Sequence, residues 1–308
     1  MAKILITGSS GFIGSHLMSK LVGHDIHTLK SNLLDYQAVQ LEVSACKPDI
    51  VVHLAARTEV ELSFYEQTSF SEVNYVGSVN LIEAAAKVPN LKNFIFASTM
   101  EVYGWQPISD QVKDGLQPKH FEAFDENTIP NPNAPYAVAK LAVEKYLQYM
   151  HRSRGFPFCA MRQTNCYGRR DNDFFVTEQI VTQMLRGSTV KLGYRYPWRN
   201  FLYIDDLIQI WHDIIEHTDR INDGTIFTVG PDRPVRIDDW AQMIASKIGW
   251  NGQIEWDTKP KRPGEIYWLN SNNALIQQKL GWSPRVDYDT GLDKTIEIWQ
   301  KNLSMGQS

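Results

Sequence analysis

Short apolar runs alternate with amphipathic stretches along the first half of the chain. The runs lie at residues 4–6, 26–29, 50–54 and 94–97, and helical patterns follow residue 14 and cover residues 74–86 and 136–150. Another apolar run, at residues 158–161, follows the last of these helices. Such a rhythm is typical of repeated βαβ units. It predicts the α/β class, with a Rossmann-type, doubly wound parallel sheet.

The second half of the chain has a different composition. Eight of the nine tryptophans lie beyond residue 190, which indicates an aromatic core of its own. We expect residues 1–165 to form a dinucleotide-binding domain, rejoined by about residues 201–230. Residues 166–200 and 231–308 would form a smaller, mixed α/β substrate-binding lobe. Residues 105–133 are polar and contain prolines, and we interpret them as a flap over a site.

Composition excludes several classes of protein. With 308 residues, 43% hydrophobic and 21% charged, the chain is neither disordered nor fibrous. A net charge of −4 and the lack of a long basic run argue against a nucleic-acid partner. Three cysteines and eight histidines show no disulfide or metal-ligand spacing, so we expect a reducing compartment and no metal. The first apolar run is too short for a signal peptide or membrane span, which predicts a cytoplasmic protein without membrane contact.

A glycine motif follows the first predicted strand and opens the first predicted helix. It reads Gly-Ser-Ser-Gly-Phe-Ile-Gly at residues 8–14. Glycines let the backbone turn tightly and approach a pyrophosphate, whose charge the adjacent N–H groups stabilise. We therefore predict a dinucleotide site that includes Gly8, Ser10, Gly11, Phe12, Ile13 and Gly14.

The end of the second predicted strand bears on the choice between NAD and NADP. An acidic residue is expected there for a ribose 2′-hydroxyl, but the sequence has Lys30 and Ser31. A lysine beside a hydroxyl suits a 2′-phosphate, which favours NADP and keeps NAD as the alternative. Asp35 follows, either as a helix cap or as a contact to the adenine.

Tyr136 and Lys140 lie four residues apart, on one face of a predicted helix. A nearby ammonium stabilises a phenolate, so Lys140 is expected to lower the pKa of Tyr136 and make it a general acid/base. A buried strand ends at Ser98, and Thr99 and Glu101 follow it in a polar turn. Ligands of doubly wound sheets bind at this carboxyl edge, so we expect these side chains to meet there.

Taken together, these motifs resemble the extended short-chain dehydrogenase/reductases, and within them the nucleotide-sugar epimerase/dehydratase branch. The resemblance extends to His-Leu-Ala-Ala at residues 53–56, Asn-Cys-Tyr-Gly at 165–168, the segment 199–206 and Arg-Pro-Gly-Glu at 262–265. It implies an NAD(P)-dependent enzyme that transiently oxidises a nucleotide-diphosphate sugar at C4.

The resemblance also implies roles for individual residues. Thr99, Tyr136 and Lys140 would be catalytic, with Glu101 and Met100 beside them, and Asn165, Arg262 and Arg199 would bind the substrate diphosphate. Further cofactor contacts would come from Leu54, Ala55, Ala56, Asn74, Ser98, Tyr136 and Lys140. His53, in contrast, is expected to be a packed core residue. Relatives pair the helices at 74–86 and 136–150 in a four-helix interface, so we expect a homodimer.

The residues after Thr99 distinguish the reactions of this branch. Relatives that are 4,6-dehydratases have Thr-Asp-Glu, in which the aspartic acid protonates the leaving C6 hydroxyl and the glutamate removes the C5 proton. Here the middle residue is Met100, which cannot donate a proton. We favour a dehydratase of the 4,6- or 5,6-type, with 4-epimerisation as the alternative. Decarboxylation, and an NADP-binding protein without turnover, are less favoured.

Overall fold

The computed structural model describes residues 1–305. Twelve strands are present in this range: β1 Lys3–Thr7, β2 Asp25–Thr28, β3 Ile50–His53, β4 Asn93–Thr99, β5 Phe158–Gln163, β6 Asn165–Tyr167, β7 Thr189–Lys191, β8 Trp198–Arg199, β9 Phe201–Tyr203, β10 Asp223–Val229, β11 Val235–Arg236 and β12 Gln253–Glu255. Six of them form one sheet in the order β10-β5-β4-β3-β1-β2. Every pairing in this sheet is parallel. The predicted fold class is therefore confirmed.

The central strands are buried on both faces, which explains their nearly continuous apolar sequences. All seven residues of β4 are buried, as are all four of β3. A parallel sheet has helices on both faces, so its strands lack the polar alternation of a half-exposed sheet. The strand β10 pairs with β5 and forms one edge of the sheet, although it lies about 60 residues later in the chain.

Twelve α-helices surround the sheet and build the rest of the described chain: α1 Phe12–Met18, α2 Tyr36–Cys46, α3 Val60–Ser63, α4 Gln67–Ser71, α5 Gly77–Ala85, α6 Ile108–Val112, α7 Pro135–Arg154, α8 Val176–Arg186, α9 Ile204–Glu216, α10 Ile237–Ile248, α11 Ala274–Leu280 and α12 Tyr288–Met305. A π-helical turn, Glu72–Val76, precedes α5, and a 3₁₀ turn, Met100–Tyr103, follows β4. The helix α7 begins with a proline and ends at Gly155 in a left-handed conformation. Both are favourable helix ends.

The expected separate aromatic core is only partly present. Trp211, Trp240, Trp282 and Trp299 belong to the same hydrophobic cluster as the residues on one face of the central sheet. Trp198 and Trp268 instead form a separate cluster with Met100 and neighbouring residues. The helix α9 contacts α1 in the first half of the chain and β6 and β9 in the second half. The aromatic residues of the second half therefore continue the hydrophobic core of the first half.

Residues 105–133 do not form a flap over the cavity described below. The apolar side chains of Ile108, Val112 and Phe124 pack against Trp198 and Trp268. The backbone of Phe124 donates to the carbonyl of Asn270 at 2.8 Å. None of these residues lines the cavity. The polar composition of this segment is due to its outer surface, whereas a few apolar residues attach it to the second half.

Across residues 1–305, no helix combines the length and the apolar character needed to cross a bilayer. The same range contains no cluster of three or more His, Cys, Asp or Glu side chains arranged to hold a metal ion.

Candidate active site

A large cavity, of about 970 Å³, lies at the carboxyl ends of the parallel strands. Parallel strands bring their carboxyl ends to one edge, where the following loops leave a crevice for ligands. Eighteen of the sequence-predicted site residues line this cavity: Gly8, Ser10, Gly11, Phe12, Ile13, Gly14, Leu54, Ala55, Ala56, Ser98, Thr99, Met100, Glu101, Tyr136, Lys140, Asn165, Arg199 and Arg262.

The glycine loop has the geometry of a dinucleotide cradle. Gly8 has a φ of +70°, and a Cβ there would lie 2.7 Å from the backbone nitrogen of Ala55. A Cβ on Gly14 would lie 2.2 Å from the carbonyl oxygen of Gly8. Both positions exclude any side chain, so the loop keeps its backbone close to β3 and open to the cavity. The residues present therefore fit a dinucleotide pyrophosphate.

Thr99 is the last residue of β4, and Met100 and Glu101 follow it directly in the 3₁₀ turn. The Thr99 hydroxyl accepts a hydrogen bond from the backbone N–H of Glu101 at 3.2 Å, which caps the turn. The Met100 side chain is 1% exposed and belongs to the cluster that contains Trp198. Met100 thus fills space beside Thr99 and Glu101, a role suited to its flexible, apolar side chain.

Glu101 is a buried carboxyl group, 8% exposed, that faces charges of both signs. Burial raises its pKa, and the negative charge of Glu265 acts in the same direction. The guanidinium groups of Arg199 and Arg262 oppose this shift. A carboxyl group with a raised pKa is able to accept a proton and to return it near neutral pH.

The phenol of Tyr136 does not have the lowered pKa that the sequence predicts. Burial raises its pKa, and the nearby charge of Glu101 raises it further, whereas a hydrogen bond with Thr99 lowers it. The Nζ atom of Lys140 donates to the carbonyl oxygen of Ala97 at 2.8 Å. Burial lowers the pKa of Lys140 to about 7. The ammonium is therefore itself destabilised by burial, and further positive charge in the cavity would favour the phenolate.

A buried ion pair lies behind Lys140. Glu144, one turn further along α7, accepts hydrogen bonds from Arg162 Nη2 at 2.8 Å and from Arg162 Nε at 3.1 Å. Ser98, a predicted cofactor contact, donates to the same carboxylate at 2.5 Å. The charge of Glu144 raises the pKa of Lys140 and so partly offsets the effect of burial. This pair links β4, β5 and α7 at the level of the predicted catalytic residues.

The predicted diphosphate contacts approach the cavity from the second half of the chain. Asn165 lies in β6, Arg199 in β8, and Arg262 in the loop that follows β12. The Arg199 side chain is almost completely buried, and its Nη2 atom lies 3.3 Å from the Glu265 carboxylate. Arg199 is therefore already paired with a carboxylate, and its positive charge also interacts with the Glu101 carboxyl group.

Four predicted cofactor contacts lie outside the cavity lining: Lys30, Ser31, Asp35 and Asn74. Asp35 caps α2 by accepting from the N–H of Ala38, which was one of its two expected roles. The Asn74 amide makes both of its hydrogen bonds with the backbone of Arg57, at 2.8 and 2.9 Å. Asn74 thus holds the segment after β3 in place, because its polar atoms are occupied there.

The carboxylate of Glu42, which the sequence analysis missed, accepts hydrogen bonds at the end of β2. The donors are the backbone N–H of Lys30 at 2.8 Å, that of Ser31 at 2.8 Å and the Ser31 hydroxyl at 2.6 Å. Burial acts to raise the pKa of Glu42, but these hydrogen bonds outweigh it and lower the pKa. An ionised carboxylate therefore lies where the sequence predicts only a lysine and a hydroxyl.

His53 has the core position that its apolar strand predicts. It is 1% exposed, and its ring nitrogens lie 2.7 Å from the Thr7 hydroxyl and 2.8 Å from the Ser78 hydroxyl. Burial lowers its pKa to about 3, and the charge of Lys140 acts in the same direction. The imidazole is therefore neutral. Thr7 in turn accepts from the N–H of Ala55, so this chain of bonds supports the cavity wall.

Other side chains at the cavity were also missed from the sequence. Glu265 lies in the Arg-Pro-Gly-Glu motif, which indicated a functional segment without showing its pairing with Arg199. Glu144 and Arg162 were missed because no local pattern joins a helix residue to a strand residue 18 positions later. Arg169 follows the Asn-Cys-Tyr-Gly motif and lines the cavity near the glycine loop.

Comparison with known proteins places the chain among nucleotide-sugar enzymes. The NAD dependent epimerase/dehydratase family model matches residues 4–230. A dTDP-D-glucose 4,6-dehydratase of Dictyostelium discoideum is 32% identical over 79% of this chain and 61% of its own length. The Bos taurus protein of the same name is 28% identical over 89% of this chain and 92% of its own.

A solved structure shows the same architecture. The UDP-glucose 4-epimerase of Thermotoga maritima, with UDP-glucose, superposes with a TM-score of 0.83 at 26% identity, covering 97% of this chain and 99% of that one. The resemblance inferred from the motifs is confirmed, as is the expectation of an enzyme that uses a nicotinamide cofactor. The glycine cradle, the Tyr-Lys pair and the matched relatives agree, and the chain belongs to the NAD dependent epimerase/dehydratase family.

Proposed function

We propose that this enzyme is a nucleotide-diphosphate-sugar dehydratase of the 4,6- or 5,6-type, which oxidises the sugar at C4 and then eliminates water across C5 and C6. The observation that carries this proposal is the position of Glu101. This carboxyl group is buried in the turn that Thr99 caps, its negative charge acts on Tyr136, and burial raises its pKa. Simple 4-epimerisation needs no base at C5, whereas elimination does.

Tyr136 and Thr99 begin the reaction in this proposal. The phenolate of Tyr136 accepts the proton of the C4 hydroxyl, and the Thr99 hydroxyl orients that group. The glycine loop would hold the pyrophosphate of an oxidised nicotinamide dinucleotide, and the bound cofactor would supply the hydride acceptor and a positive charge that favours the phenolate. Lys140 holds its ammonium against the carbonyl of Ala97, on the same side of α7 as Tyr136.

Glu101 continues the reaction once C4 is a ketone. The ketone acidifies the C5 proton, which the Glu101 carboxylate removes. Met100 has no proton to donate, so the acid at the C6 hydroxyl has to come from another group. Glu101 suits this second role after it has taken the C5 proton, because its raised pKa allows it to release that proton again. The positive charges of Arg199 and Arg262 stabilise the ionised form of Glu101 in the buried site.

Mass spectrometry of the products and solvent exchange at C5 test this proposal. A panel of nucleotide-diphosphate sugars is incubated with the enzyme and NAD or NADP. Dehydration predicts the loss of one water from the accepted sugar. In D₂O, a 4,6-type reaction is expected to place deuterium at C5 when that carbon is reprotonated, whereas a 5,6-ene product has no hydrogen at C5 and its formation is followed by loss of the label from a C5-deuterated sugar. Glu101→Gln is expected to slow this removal of the C5 hydrogen at least about 100-fold, the low end for loss of a general base.

The matched control is Glu297→Gln, which neutralises an exposed carboxylate on α12. It should leave exchange and turnover unchanged. Full exchange at C5 in Glu101→Gln would refute the assignment of the base. Conversion without a change in mass, but with inverted stereochemistry at C4, would instead establish epimerisation.

The second candidate function is 4-epimerisation of a nucleotide sugar. It is favoured by the likeness to the Thermotoga maritima epimerase over almost the whole of both chains. The lack of an acid at Met100 is also compatible with it. We rank it second because an epimerase pocket needs no buried carboxyl group at position 101.

For the cofactor we propose NAD in preference to NADP, which revises the expectation from Lys30. Glu42 already accepts the N–H groups of Lys30 and Ser31 and the Ser31 hydroxyl. Apart from the Lys30 ammonium, those are the donors that a 2′-phosphate would need, and the carboxylate would repel it. A ribose 2′-hydroxyl instead is able to donate to a carboxylate.

We further propose a homodimer that forms through α5 and α7. The outer face of α7 exposes Val138 and Tyr149, at 52% and 47%, and Val76 beside α5 is 44% exposed. Exposed apolar groups on neighbouring helices suit a second copy of the same face.

The three free cysteines suit a reducing compartment, so we propose a cytoplasmic location. The division into residues 1–165 with 201–230, and 166–200 with 231–308, also stays a proposal.

A further inference from the structure

Arg169 bridges the two halves of the chain in the lining of the cavity. Its guanidinium carbon lies 4.4 Å from the centre of the Phe12 ring, in the glycine loop. It lies 3.7 Å from the centre of the Phe175 ring, just before α8. The cation is therefore held between two aromatic rings, one from each half, and all three residues line the cavity.

The protein uses only part of the hydrogen-bonding capacity of this guanidinium. Its Nη1 atom donates to the carbonyl oxygen of Cys166 and lies 3.6 Å from the Glu178 carboxylate. Within residues 1–305, the Nε and Nη2 atoms have no acceptor at hydrogen-bonding distance. A guanidinium presents five N–H donors in a fixed plane, so donors remain for a ligand in the cavity.

The neighbouring carboxylate does not cancel this capacity. Oε1 of Glu178 accepts the backbone N–H groups of Gly168 at 2.9 Å and Arg169 at 3.0 Å. Burial raises the pKa of Glu178, and the charge of Arg169 lowers it. Glu178, which also lines the cavity, thus orients the backbone at Gly168 and Arg169, whereas the ring contacts hold the Arg169 guanidinium beside the glycine loop.

We propose that Arg169 is a cofactor clamp, which binds the pyrophosphate of the nicotinamide dinucleotide and slows its release. This inference rests on the proposed placement of the cofactor at the glycine loop. A guanidinium binds phosphate oxygens through parallel N–H donors, and Phe12 positions it against the loop whose backbone is open to the same group. The clamp also joins the glycine loop to the segment before α8, and release of the cofactor requires that this contact open.

Such a clamp suits the proposed reaction. The hydride that leaves C4 is returned to the sugar later in the same cycle, so the cofactor ends in its starting oxidation state. Turnover therefore does not require the cofactor to leave, and slow release of the cofactor does not lower the turnover rate. In an enzyme that exchanges its cofactor in every cycle, a clamp that slows release of the cofactor would instead limit turnover.

Cofactor binding in the wild type, Arg169→Ala and Arg169→Lys tests the clamp without any sugar substrate. Dissociation constants for NAD, NADP and ADP-ribose are measured by calorimetry, and release rates by stopped-flow tryptophan fluorescence. Arg169→Ala is expected to weaken the binding of all three by about tenfold or more, mainly through faster release, since it loses a charge-assisted contact. Arg169→Lys keeps the charge but loses the planar stacking, and should lie in between.

Two controls separate the possible failures. Arg170→Ala removes a neighbouring, exposed positive charge and should leave binding within about twofold of the wild type. Gly14→Ala forces a Cβ to within 2.2 Å of the Gly8 carbonyl and should abolish binding. If Gly14→Ala binds as the wild type does, the glycine-loop placement fails, and the clamp fails with it.

If Gly14→Ala fails to bind, but Arg169→Ala binds within about twofold of the wild type, only the clamp is refuted. A structural role alone predicts a lower melting temperature of Arg169→Ala with unchanged affinity, and that result also refutes the clamp. Equal losses in Arg169→Ala and Arg170→Ala would show a general charge effect and would refute it as well.

Discussion

Removal of the Glu144 carboxylate offers a sharp test of the buried ion pair behind the active site. Glu144 is fully buried and Arg162 is 4% exposed, so neither charge is screened by water. In Glu144→Met the guanidinium keeps its burial but loses the acceptor of its Nε and Nη2 groups. Its Nη1 atom already has no partner within residues 1–305. The variant therefore contains a buried charge that has lost its ion-pair partner, although the charge of Glu126 still acts on it.

The expected cost is about 3–5 kcal/mol, the range for breaking a buried pair by removal of one partner. At about 2 °C per kcal/mol for a chain of this size, the melting temperature should fall by about 6–10 °C. The double variant Glu144→Met/Arg162→Met removes both charges and should lie within about 2 kcal/mol of the wild type, because an apolar pair of similar volume is often tolerated.

The assay is a double-mutant cycle measured by thermal unfolding at pH 7. Our reasoning predicts that Glu144→Met is less stable than the double variant, with a coupling of at least about 2 kcal/mol. Additive effects of the two single substitutions would refute it. The same cycle has a kinetic readout. Loss of the Glu144 charge removes an interaction that raises the pKa of Lys140. Any limb of the pH–rate profile that is due to Lys140 should therefore move below about pH 7.

Two further predictions concern the cofactor and the core. Glu42→Gln should shift the preference towards NADP by several-fold, because it removes the charge that opposes a 2′-phosphate; an unchanged ratio of the two dissociation constants would contradict this. His53 has its pKa lowered from 6.5 to about 3, so below pH 6.5 the unfolded chain binds a proton that the folded chain does not. The contribution of His53 to the free energy of unfolding is therefore fully present above pH 6.5, and it is about 2 kcal/mol smaller at pH 5. His53→Asn should lose this part of the acid sensitivity in melting experiments, and an unchanged slope would disprove it.

The sequence by itself determined the features that depend on local preferences. Apolar strands at intervals predicted the parallel sheet, because the burial of both faces leaves a continuous apolar pattern. The glycine loop was recognisable since Gly8 needs a positive φ and Gly14 permits no Cβ. The spacing of Tyr136 and Lys140 placed them on one helix face, because residues four apart in a helix are neighbours.

The tertiary structure alone decided which distant charges meet. Glu42 reaches the end of β2 from α2, and Arg199 meets Glu265 across 66 residues of sequence. Arg169 reaches Phe12 only because the segment before α8 packs against the glycine loop. No periodic pattern encodes such pairs, since each is set by how whole elements pack.

Protonation is the second property that only the tertiary structure decided. From the sequence, an ammonium beside a phenol predicts a lowered tyrosine pKa. In the folded chain burial raises the pKa of Tyr136 and lowers that of Lys140, since each charged form loses its hydration. Residue identity and spacing thus predicted the candidate reacting groups, whereas burial and neighbouring charge decided the protonation states from which they would start.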